Sequence, residues 1–422
     1  MKLPLTLRLY RWGVMLAAPF SGLVLNGRAK RGKEDPARLP ERFGHATINR
    51  PAGRLIWLHG ASVGESLVLR SLVTALAAAT DWHFLVTTGT TTSAALMEKQ
   101  MPPRTIHQYV PVDRPACARR FMDHWRPDAA VFVESELWPN LLIELQARNI
   151  PAILANARMN QASLDNWAQR TDSLGYLLQT FRWIGAADER TAAGLSRLTD
   201  RDIPLTGNLK LQIEPPAPEA AKLEEIRSAL AGRPVWLAAS THPGEDEMVL
   251  EAHKVWRNQH PKGLMILAPR HPDRADALAE LLTRTGMSFA RRSRGEFPVT
   301  ETRVWLADTL GEMALWYAVS GKAFIGGSLV DGIGGHNPIE ATRAGCPVIT
   351  GPFTASFDDI FTAYHEHGGV LIASGAEEIA AALENDPEAL LAGARDALGE
   401  LTGSALAETL ASIHALLPAE QP

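Results

Sequence analysis

Cysteine is almost missing from this chain: of 422 residues only Cys117 and Cys346 carry a thiol. Two thiols so far apart make no redox or metal spacing and leave no disulfide framework, which fits a reducing compartment. A surplus of basic charge is missing too. Forty-two Lys and Arg stand against 47 Asp and Glu, a net charge of −5, so no global field of the kind that attracts nucleic acid is present. Acidic residues are absent from Met1 to Lys33, where seven Lys or Arg occur. That region also holds an apolar run, Trp12–Leu25, of 14 residues interrupted by Pro19. A membrane-spanning helix needs about 20. No internal repeat or low-complexity tract occurs.

What is present is an ordinary globular composition, 46% hydrophobic and 21% charged, in a chain long enough for two domains. The N-terminal run lacks the small-residue cleavage site of a signal peptide and is followed instead by a basic cluster, NGRAKRGK. It reads as a helix seated in a membrane surface, its basic residues at anionic headgroups on the cytoplasmic side, with an ordinary buried helix as the other reading.

From Arg54 the pattern alternates. Strands are expected at Leu55–Leu58, Phe84–Thr87, Ile106–Val110, Ala129–Val133 and Ala152–Leu154, with helices at Ser66–Ala79, Ala94–Lys99, Pro115–Trp125 and Pro139–Arg148. Such alternation indicates βαβ units and a parallel sheet. A proline-rich break follows within Thr206–Glu219, GNLKLQIEPPAPE from Gly207 onward. The pattern then restarts with strands at Val235–Ala239, Leu264–Leu267 and Arg303–Leu306 and helices at Met248–Trp256, Ala275–Arg284 and Met313–Val319. The expected organisation is a membrane-associated segment 1–33, an N-terminal domain 34–206, a C-terminal domain 207–385 and terminal helices 386–422. Ligands of parallel sheets lie beyond the carboxyl ends of the strands, and two such domains suggest a cleft at their junction.

The stretch that organises the second half is Phe324–Pro352. It reads as strand Lys322–Ile325, loop Gly326–His336 with five glycines, helix Asn337–Ala344 and strand Pro347–Thr350. Glycines let backbone approach a ligand; Asn337 as N-cap and Pro338 at the first helical position would open a helix whose N–H groups suit a phosphate. Glu340, one turn in, is placed to reach sugar hydroxyls. A well-capped βαβ turn with no ligand gives the same pattern. Arg270 follows a strand and is a natural fork for phosphate or carboxylate. Glu65 stands where a loop becomes a helix, as a proton acceptor or a capping acid. Glu134 and Glu136 end another strand, one catalytic and one structural. Lys210 either stabilises negative charge or is merely solvated. His59, His242 and His336 lie in strand-end loops without a close metal-ligand spacing, so no catalytic metal is expected.

Six motifs carry a specific resemblance in order: HGASVGE (His59–Glu65), VESELWPN (Val133–Asn140), NARM (Asn156–Met159), GNLK (Gly207–Lys210), APRHP (Ala268–Pro272) and GGHNPIE (Gly334–Glu340). With ERFG at Glu41–Gly44 and the basic N-terminus, the chain resembles the 3-deoxy-D-manno-octulosonic acid (Kdo) transferases of lipopolysaccharide biosynthesis from about residue 5 to 385. The resemblance implies the GT-B glycosyltransferase fold, two Rossmann-like domains facing across a cleft. It implies inverting transfer of Kdo from CMP-Kdo to a lipid A precursor of the lipid IVA type, without cofactor or metal, at the cytoplasmic face of the inner membrane. It assigns Glu65 as base and Glu134 and Lys210 as transition-state stabilisers. It places CMP on Pro269 and Arg270, on Gly311, Glu312 and Met313, and on Asn337, Pro338, Ile339 and Glu340. The loop Leu329–His336 is slightly longer than the family's usual form and adds Asp331; Leu211–Gln212 replace an aromatic and an Asp. Two other readings are a GT-B transferase of another nucleotide sugar and a catalytically silent, membrane-docked nucleotide-sugar-binding protein. Glu65, Glu134, Lys210 and Arg270 together argue against the last.

Overall fold

A computed structural model describes residues 2–212 and 218–417. The proline pair of the expected linker, Pro215 and Pro216, lies outside the described residues. Thirteen strands are present among them: β1 (Leu55–His59), β2 (His83–Thr88), β3 (Thr105–Tyr109), β4 (Ala129–Val133), β5 (Ala152–Ala157), β6 (Phe181–Ala186), β7 (Val235–Thr241), β8 (Leu264–Pro269), β9 (Phe289–Arg291), β10 (Val304–Leu306), β11 (Ala323–Ile325), β12 (Val348–Thr350) and β13 (Val370–Ile372).

The first six form one parallel sheet in the order β3-β2-β1-β4-β5-β6. Leu55–His59 is apolar almost throughout because β1 is central and buried on both faces. Leu55 and Trp57 enter one core with Phe121, Phe132 and Leu154. Ile56 and Leu58 enter the other with Leu69, Val86 and Ile153. Chain order reverses between β1 and β4, which makes their carboxyl ends the switch point where open α/β sheets bind ligands. The remaining seven strands form a second parallel sheet, β13-β12-β11-β7-β8-β10-β9. Its switch point lies between β7 and β11.

The chain divides into two compact units, Met1–Ile213 with Thr402–Pro422, and Glu214–Leu401. Two expected boundaries therefore move. GNLK belongs to the first unit, because Leu209 is buried in that unit's core and its N–H donates to Asn156 Oδ1 at 2.7 Å. Residues 386–422 are not one terminal piece. The helix Ala405–Leu416 packs Ala405, Ile413 and Leu416 into the first unit, whereas residues up to Leu401 belong to the second. An Ala- and Leu-rich pattern reports an amphipathic helix but not its partner.

The N-terminal run is likewise not one helix. Helices Leu5–Leu16 and Ala18–Ala29 meet at Ala17, and Pro19 lies in the first turn of the second, since proline lacks the N–H and clashes with the carbonyl four residues earlier. Leu5, Leu9, Trp12 and Leu16 recur at helical spacing and are exposed, as are Phe20, Leu23 and Val24; Leu7 and Leu25 face inward. Tyr10 Oη donates to Asp113 Oδ2 at 2.8 Å, tying the first helix to the first unit. Among the described residues no helix is long and apolar enough to cross a membrane.

Candidate active site

In the first unit the loops after β1 and β4 meet at the switch point. Ser62 caps the helix Val63–Ala79, accepting the Glu65 N–H at 3.3 Å. Glu65 returns a contact to each side of the cap: Oε2 accepts the Ala61 N–H at 2.7 Å, and Oε1 accepts the Ser62 hydroxyl. This reciprocal arrangement is a capping box in all but one residue. Its carboxylate is buried and uses two of about four acceptor positions. Gly60 is required here, since a Cβ on it would lie 2.8 Å from Glu65 Cβ.

Glu134 follows β4 with φ of 64°, a left-handed conformation that costs a non-glycine residue on the order of 1 kcal/mol. The turn delivers its carboxylate to Lys210 Nζ, with which it forms an ion pair. Lys210 in turn lies against the Glu65 loop: a Cβ on Gly64 would sit 3.3 Å from Lys210 Cε. Asn156 at the end of β5, also left-handed at φ 54°, holds GNLK in place through Leu209. The structure thus gathers Glu65, Glu134 and Lys210, residues 145 positions apart at their extremes in sequence.

Glu136 and His59 form a second pair. His59 is fully buried, with Nδ1 2.9 Å from Thr87 Oγ1 and Nε2 3.5 Å from Glu136 Oε2. Burial works to raise the Glu136 carboxyl, but the nearby His59 ring and the hydrogen bond from Trp138 Nε1 at 2.6 Å outweigh it and hold it below the usual range.

In the second unit, β11, β7, β8 and β10 are adjacent, and their carboxyl ends bring the expected nucleotide-side residues to one edge. Pro269 ends β8, buried; Arg270 follows it, exposed. Among the described residues its guanidinium makes no hydrogen bond or ion pair. Gly311, with φ of 82°, precedes the helix Met313–Val319. The Glu312 carboxylate is occupied by Arg292 Nη2 at 2.8 Å and Nε at 3.1 Å, and chiefly this bond lowers its pKa.

The glycine loop departs from expectation. Its helix is short, Ile339–Arg343, with Pro338 at the N-cap position. Asn337 acts one residue earlier, its Oδ1 accepting the Ile339 N–H at 3.0 Å. Pro338 and Ile339 are buried, whereas Asn337 and Glu340 are exposed. The N–H groups of Gly327, Ser328 and Leu329 do not await a phosphate. They donate to Glu245 at 2.7, 2.9 and 2.9 Å, and the His242 N–H joins them at 2.9 Å. Glu245 is fully buried and acts as the loop's internal anion. The sequence signal for this residue is an acid immediately before the helix Asp246–Arg257 that follows the central strand.

His242 and His336 share a hydrogen bond between their Nε2 atoms at 2.8 Å. Among the described residues no group of three or more His, Cys, Asp or Glu is disposed to hold a metal ion.

Residues 37–213 match a protein-family model described as 3-Deoxy-D-manno-octulosonic-acid transferase (kdotransferase). A 3-deoxy-D-manno-octulosonic acid transferase of Haemophilus influenzae is 36% identical over 394 residues, 91% of each chain. A probable mitochondrial 3-deoxy-D-manno-octulosonic acid transferase of Arabidopsis thaliana is 35% identical over 368 residues, 85% of this chain and 82% of that one. Two solved structures show the fold alone. A UDP-GlcNAc 2-epimerase of Neisseria meningitidis is 13% identical with a TM-score of 0.57, covering 86% of this chain and 100% of its own. A glycosyltransferase of Rickettsia africae is 12% identical with a TM-score of 0.56, covering 88% and 100%. The two parallel sheets are those of a GT-B-like glycosyltransferase, and with full-length relatives above one-third identity the chain belongs to the 3-deoxy-D-manno-octulosonic acid transferase family.

Proposed function

We propose that this enzyme transfers Kdo from CMP-Kdo to a lipid A precursor of the lipid IVA type, with inversion and without a metal. A hydroxyl oxygen of the acceptor bonds to the Kdo anomeric carbon as the bond from that carbon to the phosphate oxygen breaks. CMP leaves with the electron pair, and the hydroxyl proton passes to Glu65. Glu134 and Lys210 stabilise the charge that develops in the transition state. Arg270, the backbone at Gly311–Met313, and the segment Asn337–Glu340 hold the CMP moiety, with exposed Glu340 toward ribose hydroxyls.

The observation that carries this reading is the convergence of Glu65, Glu134 and Lys210 at the β1/β4 switch point. Among the described residues the Glu65 carboxylate accepts two hydrogen bonds, one of them from a rotatable hydroxyl, which leaves room for a substrate proton. The outward apolar stripe Leu5, Leu9, Trp12 and Leu16, in a segment with seven basic residues and no acid, suits a helix lying along an anionic inner-membrane surface at its cytoplasmic face, where a lipid acceptor resides.

The test is mass spectrometry of the lipid after incubation of the purified full-length protein with CMP-Kdo, the precursor and a chelator. A gain of whole Kdo residues is expected, and the mass reads their number. An unmodified lipid, or a product formed only with another nucleotide sugar, would overturn the proposal. For the membrane face, Trp12→Gln with Leu16→Gln should weaken sedimentation with anionic vesicles; unchanged sedimentation would move the docking surface elsewhere.

A further inference from the structure

The carboxyl edge of the second sheet gathers more protonatable nitrogen than it has anions to balance. His242 follows β7, His336 closes the glycine loop after β11, and Arg270 with His271 follows β8. The His242 and His336 rings stack with centroids 5.0 Å apart and planes 19° apart. Their Nε2 atoms are 2.8 Å apart, so one ring donates its proton to the other. His271 stands edge-on to His242 at 5.9 Å.

The other charged groups that face the pair are already accounted for. Glu245 spends both oxygens on four backbone N–H groups. Arg274 is paired with Asp246. Arg270 is exposed and, among the described residues, its guanidinium makes no hydrogen bond or ion pair. The edge is therefore rich in donors and short of an acceptor.

The pair is kept neutral in this state. Burial first, then the neighbouring imidazoles and Arg270, pushes His336 down to about 4, with Glu245 opposing. Burial also holds His242 below the ordinary histidine range; Glu245 opposes it, and His271, Arg274 and Arg270 add to it. An anion arriving beside Arg270 offsets its charge, and an opposite charge nearby favours the protonated form. One added proton makes an imidazolium hydrogen-bonded to a neutral imidazole, a charge-assisted donor.

We propose that the His242–His336 pair is a proton-loaded anion site that takes up a proton as the donor's phosphate docks beside Arg270. The inference rests on the CMP-Kdo reading above and adds to it that donor binding and protonation are linked. The sign follows from that linkage: a pKa raised by the ligand makes binding tighter below the bound-state value and removes the gain as pH rises through it.

The experiment is nitrogen NMR of the full-length protein labelled at histidine, with CMP as the probe, between about pH 5.5 and 8. Without CMP the His336 ring should stay neutral across the range. With saturating CMP a ring of the pair should show imidazolium shifts at about pH 6 that are missing without it. His336→Gln assigns the signal and should remove it. That variant should also bind CMP about fivefold more weakly at about pH 6 and unchanged at about pH 8. CMP's own phosphate titrates near 6, so the ring signals decide the matter. CMP that shifts signals of the C-terminal unit while neither ring gains a proton overturns the inference and leaves the donor reading standing. Equal loss of affinity at both pH values overturns it too, since a merely structural ring behaves that way. CMP that perturbs no signal removes the donor reading, and the inference with it.

Discussion

Glu65 and Glu245 occupy matching places in the two units. Each follows the central strand beside a switch point, β1 in one case and β7 in the other, and each stands where the next helix begins. Their surroundings differ. Glu245 accepts four backbone N–H groups and is fully buried, so its acceptor positions are filled by groups that cannot leave. Glu65 accepts one backbone N–H and one hydroxyl, and the Lys210–Glu134 ion pair stands against its loop. A carboxylate saturated by backbone builds a loop; one with spare acceptor positions beside a lysine can exchange a proton with a substrate. The comparison predicts that the two acids fail in opposite ways.

The largest effect is expected at Glu65. Glu65→Gln keeps the shape and the Ala61 contact but cannot accept a proton at neutral pH, so turnover should fall by about two to four decades with melting temperature and CMP affinity almost unchanged. The acid limb of the pH–rate profile should vanish with it. If the residue only caps its helix, stability should drop by at most about 1 kcal/mol and turnover should survive. Steady-state kinetics beside a thermal melt separate the two, and near-normal turnover would shift the search to Glu134 and Glu136.

Glu245→Gln should do the reverse. The amide replaces one acceptor oxygen with an N–H donor, set against backbone donors that have no water to turn to. Leaving buried donors unsatisfied costs about 1–3 kcal/mol apiece, so a loss of roughly 3 kcal/mol in urea unfolding is expected. A variant that unfolds like the wild type yet has lost turnover would break the comparison by making Glu245 a chemical participant. Arg270→Ala should touch neither chemistry nor stability. Removing one charge-assisted contact is worth about 1.5–3 kcal/mol, or one to two decades in CMP affinity by calorimetric titration. Unchanged affinity would put the nucleotide elsewhere.

Much of the fold was legible because its central strands are continuous apolar runs between polar loops. The readings at Leu55–Leu58, Ala129–Val133 and Leu264–Leu267 lie within a residue or two of β1, β4 and β8. Strand β6 carries an exposed arginine and a half-buried tryptophan at the edge of its sheet, and β9 and β13 are three-residue edges; none leaves a periodic signal. The reading of β5 stopped at Leu154 because Asn156 and Ala157 look like loop, yet the left-handed Asn156 lies inside the strand. Among the site residues, carboxylates at strand ends were visible as chemical types. The partner of each was not. Glu245 meets amides 82 to 84 residues away, and His242 meets His336 across 94. No local pattern encodes such a contact; it appears only once β7 and β11 are neighbours.

The smallest effect separates the units by acid. His253 is buried between Trp236 and Arg303 in the second unit. Its Nδ1 accepts the Trp236 Nε1–H at 3.1 Å, and its Nε2–H donates to Arg303 O at 2.9 Å, so the neutral ring is satisfied on both sides. Burial, with Arg257, Arg303 and Arg233 nearby and only the Arg303 carbonyl opposing, pushes it down to about 3. An unfolded histidine titrates near 6.5. Between those values the unfolded chain binds a proton that the native protein does not, so stability rises with pH. This contribution is whole above about 6.5 and is lost as pH falls toward about 3, on the order of 1–2 kcal/mol by about pH 5. His253→Gln should start less stable at neutral pH and lose less on acidification. Amide hydrogen exchange should show the flattened response in β7 and β8, next to the ring, while β1 and β2 follow the same pH trend in both proteins. Parallel pH dependences in β7 and β8 for wild type and variant would mean that another group carries the acid sensitivity of the C-terminal unit.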